Sequence, residues 1–158
     1  MKCEHKILEI PYSIVRREDM SNELRALEQA AVAAAEDAYA KYSNFRVGAA
    51  VLLSNGEIVS GSNQENSAYP SGICAERTAL FYAGAKYPNE AVEKLLIVAF
   101  SPHGRVRVAS PCGACRQVML ETSVRFHPYP VYLAGPEEVI CIEDNRDALP
   151  FPFDGSDL

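Results

Sequence analysis

Between residues 21 and 41 the apolar positions fall at alternating steps of three and four: Leu24, Leu27, Ala31, Ala34 and Ala38. That spacing lines one face of an α-helix, and Ser21 stands where an N-cap belongs. The small alanines on that face suggest close packing on a sheet. The period then changes. "FRVGAAVLL" (45–53) is an apolar run of strand length, "SNGE" (54–57) carries a turn signal, and "IVSGS" (58–62) reads as the returning strand of a hairpin. After the polar loop "NQENSAYPSG" (63–72), "ICAERTALFYAGA" (73–85) predicts a second helix with Ala75, Ala79, Tyr82 and Ala83 toward the core. "KLLIVAF" (94–100) is a continuous apolar run short enough for a buried central strand. Residues 113–122 predict a third helix, "PVYLA" (130–134) another strand, and "EVICIED" (138–144) either a fifth strand or part of an irregular tail. Strands alternating with helices around a hairpin imply a layered α/β domain with a mixed sheet of about five strands. Residues 1–20 carry no readable pattern and are taken as an extension of a single domain over 1–158.

Composition narrows the function classes. With 158 residues, 48% of them hydrophobic and 23% charged, the chain can bury a full core without disulfide staples. Its net charge of −6 opposes a nucleic-acid partner, because such affinity rests on Lys and Arg neutralising phosphates. No stretch approaches the roughly 18 apolar residues of a membrane span, and the charged start "MKCEHKILEIPYSIV" has no signal-peptide character. Five cysteines in such a composition read as thiols or metal ligands before disulfides, and a cytoplasmic protein is expected.

Three of those cysteines form a pattern. Cys74 follows the turn signal "YPSG" at the start of the second predicted helix, and Cys112-x-x-Cys115 follows a proline at the start of the third. Helix N-termini favour thiolate over thiol, the form that a metal needs. Positions 112 and 115 share a helix face, so they can bind one ion together. Three thiolates are one short of a closed structural zinc site and match a catalytic one, whose fourth position is left to water. Glu76 lies two residues beyond Cys74; the two side chains converge only if Cys74 sits at the helix boundary. A carboxylate beside such a water can move its protons. A Cys₃ zinc site with a non-ligand Glu and a C-x-x-C after proline is the pattern of zinc nucleobase deaminases. The competing readings are a structural zinc completed by a histidine, of which His103 is nearest, and a redox pair at Cys112 and Cys115. Cys3 and Cys141 read as isolated apolar thiols.

From about Ser21 to Leu158 the chain also resembles the homotetrameric zinc cytidine deaminases: "FRVGAA", "GSNQENSAYPSGICAERTAL", "SPCGACRQ" and "LPFPF" occur in that family's order. The resemblance implies a three-layer α/β/α fold, one Zn²⁺ per chain on Cys74, Cys112 and Cys115, and Glu76 as the proton shuttle. It implies that Arg77 offsets thiolate charge, a role that Arg116 could share. Phe45 falls on the aromatic that stacks on the base, Asn63 and Glu65 on the pair holding the ribose 3′-hydroxyl, and Ala75 on a backbone contact to the base edge. Tyr69 falls near a subunit boundary. Phe153 matches an aromatic that closes a neighbouring subunit's pocket, so active sites are expected to be shared in a homotetramer.

The implied reaction is hydrolytic deamination of cytidine and 2′-deoxycytidine, as in pyrimidine salvage. The nearest alternative is a deaminase of a modified cytosine nucleoside, such as an aminoglycosyl-nucleoside antibiotic. A deoxycytidylate deaminase would want cations near the sugar 5′ position, and no such cluster is evident. A nucleic-acid-editing module would want a basic, aromatic-rich stripe, which is also missing.

Overall fold

Ser21 starts the first helix: its hydroxyl accepts the Leu24 amide at 3.1 Å, and α1 runs over Asn22–Glu36. The computed structural model describes residues 2–156. α1 stops short of the expected residue 41 because the next turn is claimed by other partners. The Tyr39 amide donates to the Asn63 carbonyl at 3.1 Å, and the Glu65 amide donates to the Tyr39 carbonyl at 2.8 Å. The buried face of α1 is Leu24, Leu27, Glu28, Ala31 and Ala35, so Ala35 replaces the expected Ala34 and Ala38.

The strands are β1 (Ser13–Arg16), β2 (Arg46–Leu53), β3 (Ile58–Ser62), β4 (Val92–Ser101), β5 (Gly104–Arg105), β6 (Val131–Ala134) and β7 (Glu138–Ile142). The remaining helices are α2 (Ala75–Lys86) and α3 (Gly113–Arg125). One sheet runs in the order β1-β7-β6-β4-β2-β3, with β5 paired to β4. Only β4 and β6 pair in parallel; the other pairs are antiparallel, which makes the sheet mixed. It has seven strands rather than about five. The two unforeseen strands are short: β5 has two residues, and β1 leaves three of its four exposed. Neither presents an alternating apolar face long enough to read.

Successive residues of the central strands serve opposite faces, as strand geometry requires. Ala49, Val51, Leu95 and Ile97 pack under α2 and α3, whereas Ala50, Leu96 and Val98 pack under α1. The result is the expected three-layer α/β/α arrangement. The layers are close. A Cβ on Gly48 of β2 would stand 1.8 Å from the Ala31 carbonyl oxygen, so only glycine lets α1 lie on the strand backbone.

A buried carboxylate fastens the amino-terminal segment to this frame. Glu28 accepts from Arg17 Nη1 at 2.6 Å and Nη2 at 3.0 Å, and also pairs with Arg105 next to β4. Burial alone would push its carboxyl up, but the bonds from the two guanidiniums outweigh it and hold the pKa below the usual glutamate value. Among the described residues no helix is long and apolar enough to cross a membrane.

Candidate metal centre and active site

The two helices on one face of the sheet each begin at a cysteine. Cys74 is the N-cap of α2, with extended φ and ψ of −78° and 155°, and Cys112 is the N-cap of α3. The extended conformation at Cys74 is the boundary geometry that allows a residue two positions on to share its site. Cys115 lies one turn into α3 and is fully buried.

The three sulfurs converge. Cys74 Sγ is 3.7 Å from Cys112 Sγ, which is 3.4 Å from Cys115 Sγ, and all three lie within 4.8 Å of one another. Zinc–sulfur bonds of about 2.3 Å in a tetrahedron put sulfurs about 3.8 Å apart, so the donor set fits zinc in both chemistry and spacing. No histidine joins this cluster among the described residues, and His103 lies exposed in the turn between β4 and β5. All five cysteines are free thiols.

Charge in the cluster is uneven. Hydrogen bonding from Cys115 pulls the Cys74 thiol down to about 5 against its burial, with help from Arg77 and Cys112. The same bond and burial push the Cys115 thiol up. Arg77 Nη2 sits 3.9 Å from Cys74 Sγ, and its buried Nε has no hydrogen-bond partner among the described residues. Glu76 is 5% exposed at the start of α2, and burial pushes its carboxyl up. Arg116 does not reach a sulfur; it bonds the Pro111 and Ala148 carbonyls and the Ser110 hydroxyl.

A cavity of about 430 Å³ opens beside the cluster, lined by Tyr42, Asn63, Glu65, Tyr69, Cys74 and Arg77 among others. Asn63 Nδ2 donates to the Phe45 carbonyl at 2.9 Å, while its Oδ1 accepts the Val47 amide at 2.7 Å. Glu65 accepts the Tyr42 and Ser43 amides at 2.7 and 3.3 Å and bonds the Ser43 hydroxyl. Those bonds, that of Ser43 foremost, hold its carboxyl below the usual range. Ala75 is fully buried behind Cys74. Phe45, partly exposed, lies outside the lining, although its neighbours Ser43 and Asn63 belong to it. Phe153 lies outside its own chain's cavity, with its ring exposed. The loop residues Tyr42 and Ser43 were not foreseen. Their signal lies in the fold, where Glu65 captures them across a gap of more than twenty residues.

The chain matches a family model described as the cytidine and deoxycytidylate deaminase zinc-binding region over residues 21–129. A cytidine deaminase of Sporosarcina psychrophila is 43% identical over 127 residues, covering 79% of this chain and 87% of that protein. One from Halalkalibacterium halodurans is 46% identical over 91 residues, covering 58% of this chain and 65% of that relative, slightly under two thirds of its length. The crystal structure of cytidine deaminase from Burkholderia pseudomallei superposes with a TM-score of 0.71 at 38% identity, over 85% of this chain and 100% of the other. A cluster of three thiols at two helix N-termini and the match across most of the chain agree: the protein belongs to the zinc-binding cytidine and deoxycytidylate deaminase family.

Proposed function

We infer that the protein hydrolyses cytidine, and 2′-deoxycytidine with it, to uridine and 2′-deoxyuridine, consuming one water and releasing one ammonia. The observation that carries this reading is the buried Glu76 carboxylate at the same helix start as Cys74, beside two further thiols that fit zinc. Cys74, Cys112 and Cys115 would hold one zinc per chain, and it would supply a Lewis acid that makes water nucleophilic near neutral pH.

Glu76 would take one proton from the attacking water and pass it to ring N3, which makes C4 electrophilic toward the oxygen. It would then take the second proton of that water, now on the C4 hydroxyl, and deliver it to the departing amino group, so that ammonia leaves as the C4 carbonyl forms. Burial pushes the Glu76 carboxyl up from its ordinary value, which favours its taking up a proton. Arg77 lies against the thiolate charge of Cys74 and offsets part of it.

The sugar is assigned to Asn63 and Glu65. Asn63 retains a second Nδ2 hydrogen after bonding Phe45, and a carboxylate has lone-pair sites beyond the three bonds that Glu65 accepts. Because its loop bonds keep Glu65 ionised, a 5′-phosphate nearby would be repelled. Phe45 stacks on the base, and the Ala75 backbone meets the base edge.

The expected homotetramer with shared sites is supported by what one chain leaves uncovered. Cys112 is exposed, as are Tyr69, Phe151 and Phe153, and α2 turns Phe81 and Tyr82 outward. Exposed aromatic groups and an exposed metal ligand need cover, and in this reading a neighbouring copy supplies it through Phe153, with Tyr69 at the boundary. The acidic charge argues against a nucleic-acid partner, and free thiols suit a cytoplasmic enzyme.

The test is direct. Zinc-loaded protein is incubated with cytidine, deoxycytidine and cytidine 5′-monophosphate while uracil product and ammonia are followed. Both nucleosides are expected to react and the nucleotide to be a poor substrate. No product from either nucleoside, with zinc at one per chain, overturns the reading.

A further inference from the structure

The final stretch of the chain follows α3 toward its cysteine end through a series of named bonds. Asn145 Nδ2 donates to the Met119 carbonyl at 2.9 Å and to Ser123 Oγ at 3.2 Å. Arg116 Nη1 donates to the Ala148 carbonyl at 2.8 Å, and Gln117 Nε2 donates to the Phe153 carbonyl at 2.8 Å. As the tail advances from 145 to 153, its partners on α3 step back from 119–123 to 116–117, within two residues of Cys115.

Arg116 has a second set of partners. Its Nε donates to the Pro111 carbonyl at 2.8 Å and its Nη2 to Ser110 Oγ at 2.9 Å, in the loop that delivers Cys112. The guanidinium is planar and rigid, so its fork fixes the loop and Ala148 relative to one another. Beyond Ala148, Gln117 is the α3 residue that bonds the described part of the tail. Phe151 takes a left-handed φ of 53° and is 95% exposed, and Phe153 is exposed as well.

We propose that Arg116 and Gln117 are positioning residues that register the Phe153 tail against the Cys112 loop. Arg116 ties the loop to the tail's base at Ala148, and Gln117 fixes the point at which Phe153 leaves the helix. If Phe153 covers a neighbour's nucleoside, as proposed above, the order of one subunit's metal loop then sets how well its tail serves the next. The effect on substrate rests on that reading; the clamp itself does not.

Hydrogen exchange over 149–156 and over 108–113 reads both ends of the link in the zinc-loaded protein. Gln117→Glu replaces the donor with an oxygen that repels the Phe153 carbonyl, and Gln117→Ala simply removes it. Both are expected to raise exchange over 149–156 at least about five-fold, the worth of one net hydrogen bond, with zinc content unchanged. KM for cytidine is expected to rise by a similar factor. Arg116→Lys keeps the charge but not the fork, and is expected to raise exchange at both ends and to hasten zinc loss to a chelator. Unaltered tail exchange in both folded Gln117 variants overturns the proposal, whatever happens to KM. A loosened tail with an unaltered loop in Arg116→Lys overturns the link between them. If the wild type does not deaminate cytidine, the functional reading fails, and the exchange data still decide the clamp.

Discussion

Asn63 donates its side-chain amide to the backbone carbonyl of Phe45 at 2.9 Å. The residue assigned to the sugar therefore holds the residue assigned to the base, and the bond on the other side, from Val47, anchors both to the start of β2. Substitutions at the two positions should couple. Phe45→Ala and Asn63→Ala are each expected to raise KM about ten-fold, and the double variant to fall short of additivity by about 0.5–1 kcal/mol. Steady-state kinetics on the four proteins checks this, with strict additivity as the contrary result.

The thiols and the carboxylate should separate cleanly. Cys112→Ser and Cys115→Ser are expected to lose metal by elemental analysis. Glu76→Gln is expected to keep one zinc per chain and to lose turnover by roughly 10³–10⁴. Metal loss in Glu76→Gln would make the glutamate a ligand, and retained turnover would remove it from the proton path.

Much of this site is legible in the sequence because its residues are local. Cys74 and Glu76 are two apart, Cys112 and Cys115 three apart, and each pair opens a helix whose start is marked by Pro or Gly. The hairpin through β2 and β3 is legible for the same reason: an apolar run of strand length and an Asn-Gly turn leave little choice of register. The buried face of α2 is harder to read. Residues 79–83 are all apolar, so no single stripe stands out; Ala79 and Ala83 are buried as expected, Leu80 is buried with them, and the expected Tyr82 is exposed. The partners of Arg116 are illegible too, because Ala148 lies 32 residues away.

Glu28 gives the fold a defined acid limb. Its pKa is lowered in the folded state, so its contribution is complete above the ordinary glutamate value of about 4.3 and is lost as pH falls through the lower folded value. Glu28→Gln is expected to cost about 3 kcal/mol at pH 7, because Arg17 and Arg105 are left facing a neutral group. Thermal melts should show a smaller loss between pH 7 and pH 3.5 in this variant than in the wild type.

The spacing of α1 on the sheet allows no methyl group at Gly48. Gly48→Ala is expected to destabilise by at least about 3 kcal/mol or to abolish folding, since the nearest atoms belong to helix backbone and cannot rotate away. Gly113→Ala meets nothing within 4 Å and serves as the control in the same denaturation series.

Removing residues 151–158 should leave zinc bound and reduce catalytic efficiency sharply, by about 100-fold. Mixing this truncated chain with full-length Glu76→Gln should restore activity that neither parent has, since each lacks what the other supplies. No recovery, with subunit exchange demonstrated by mass spectrometry, would end the shared-site account.

The pairing of β1 with β7 has a consequence for how the chain is made. Ser13 lies opposite Cys141, so the first strand has to wait for almost the whole chain before its neighbour exists. At ribosomal speed that delay is on the order of ten seconds, during which residues 2–16 have no sheet to join. Over the same interval α1, the hairpin and α2 leave the ribosome in order, with Cys112 and Cys115 next. The metal ligands are thus all synthesised before the sheet can close. Closing the sheet is a late, long-range step, with the slow kinetics that distant contacts impose.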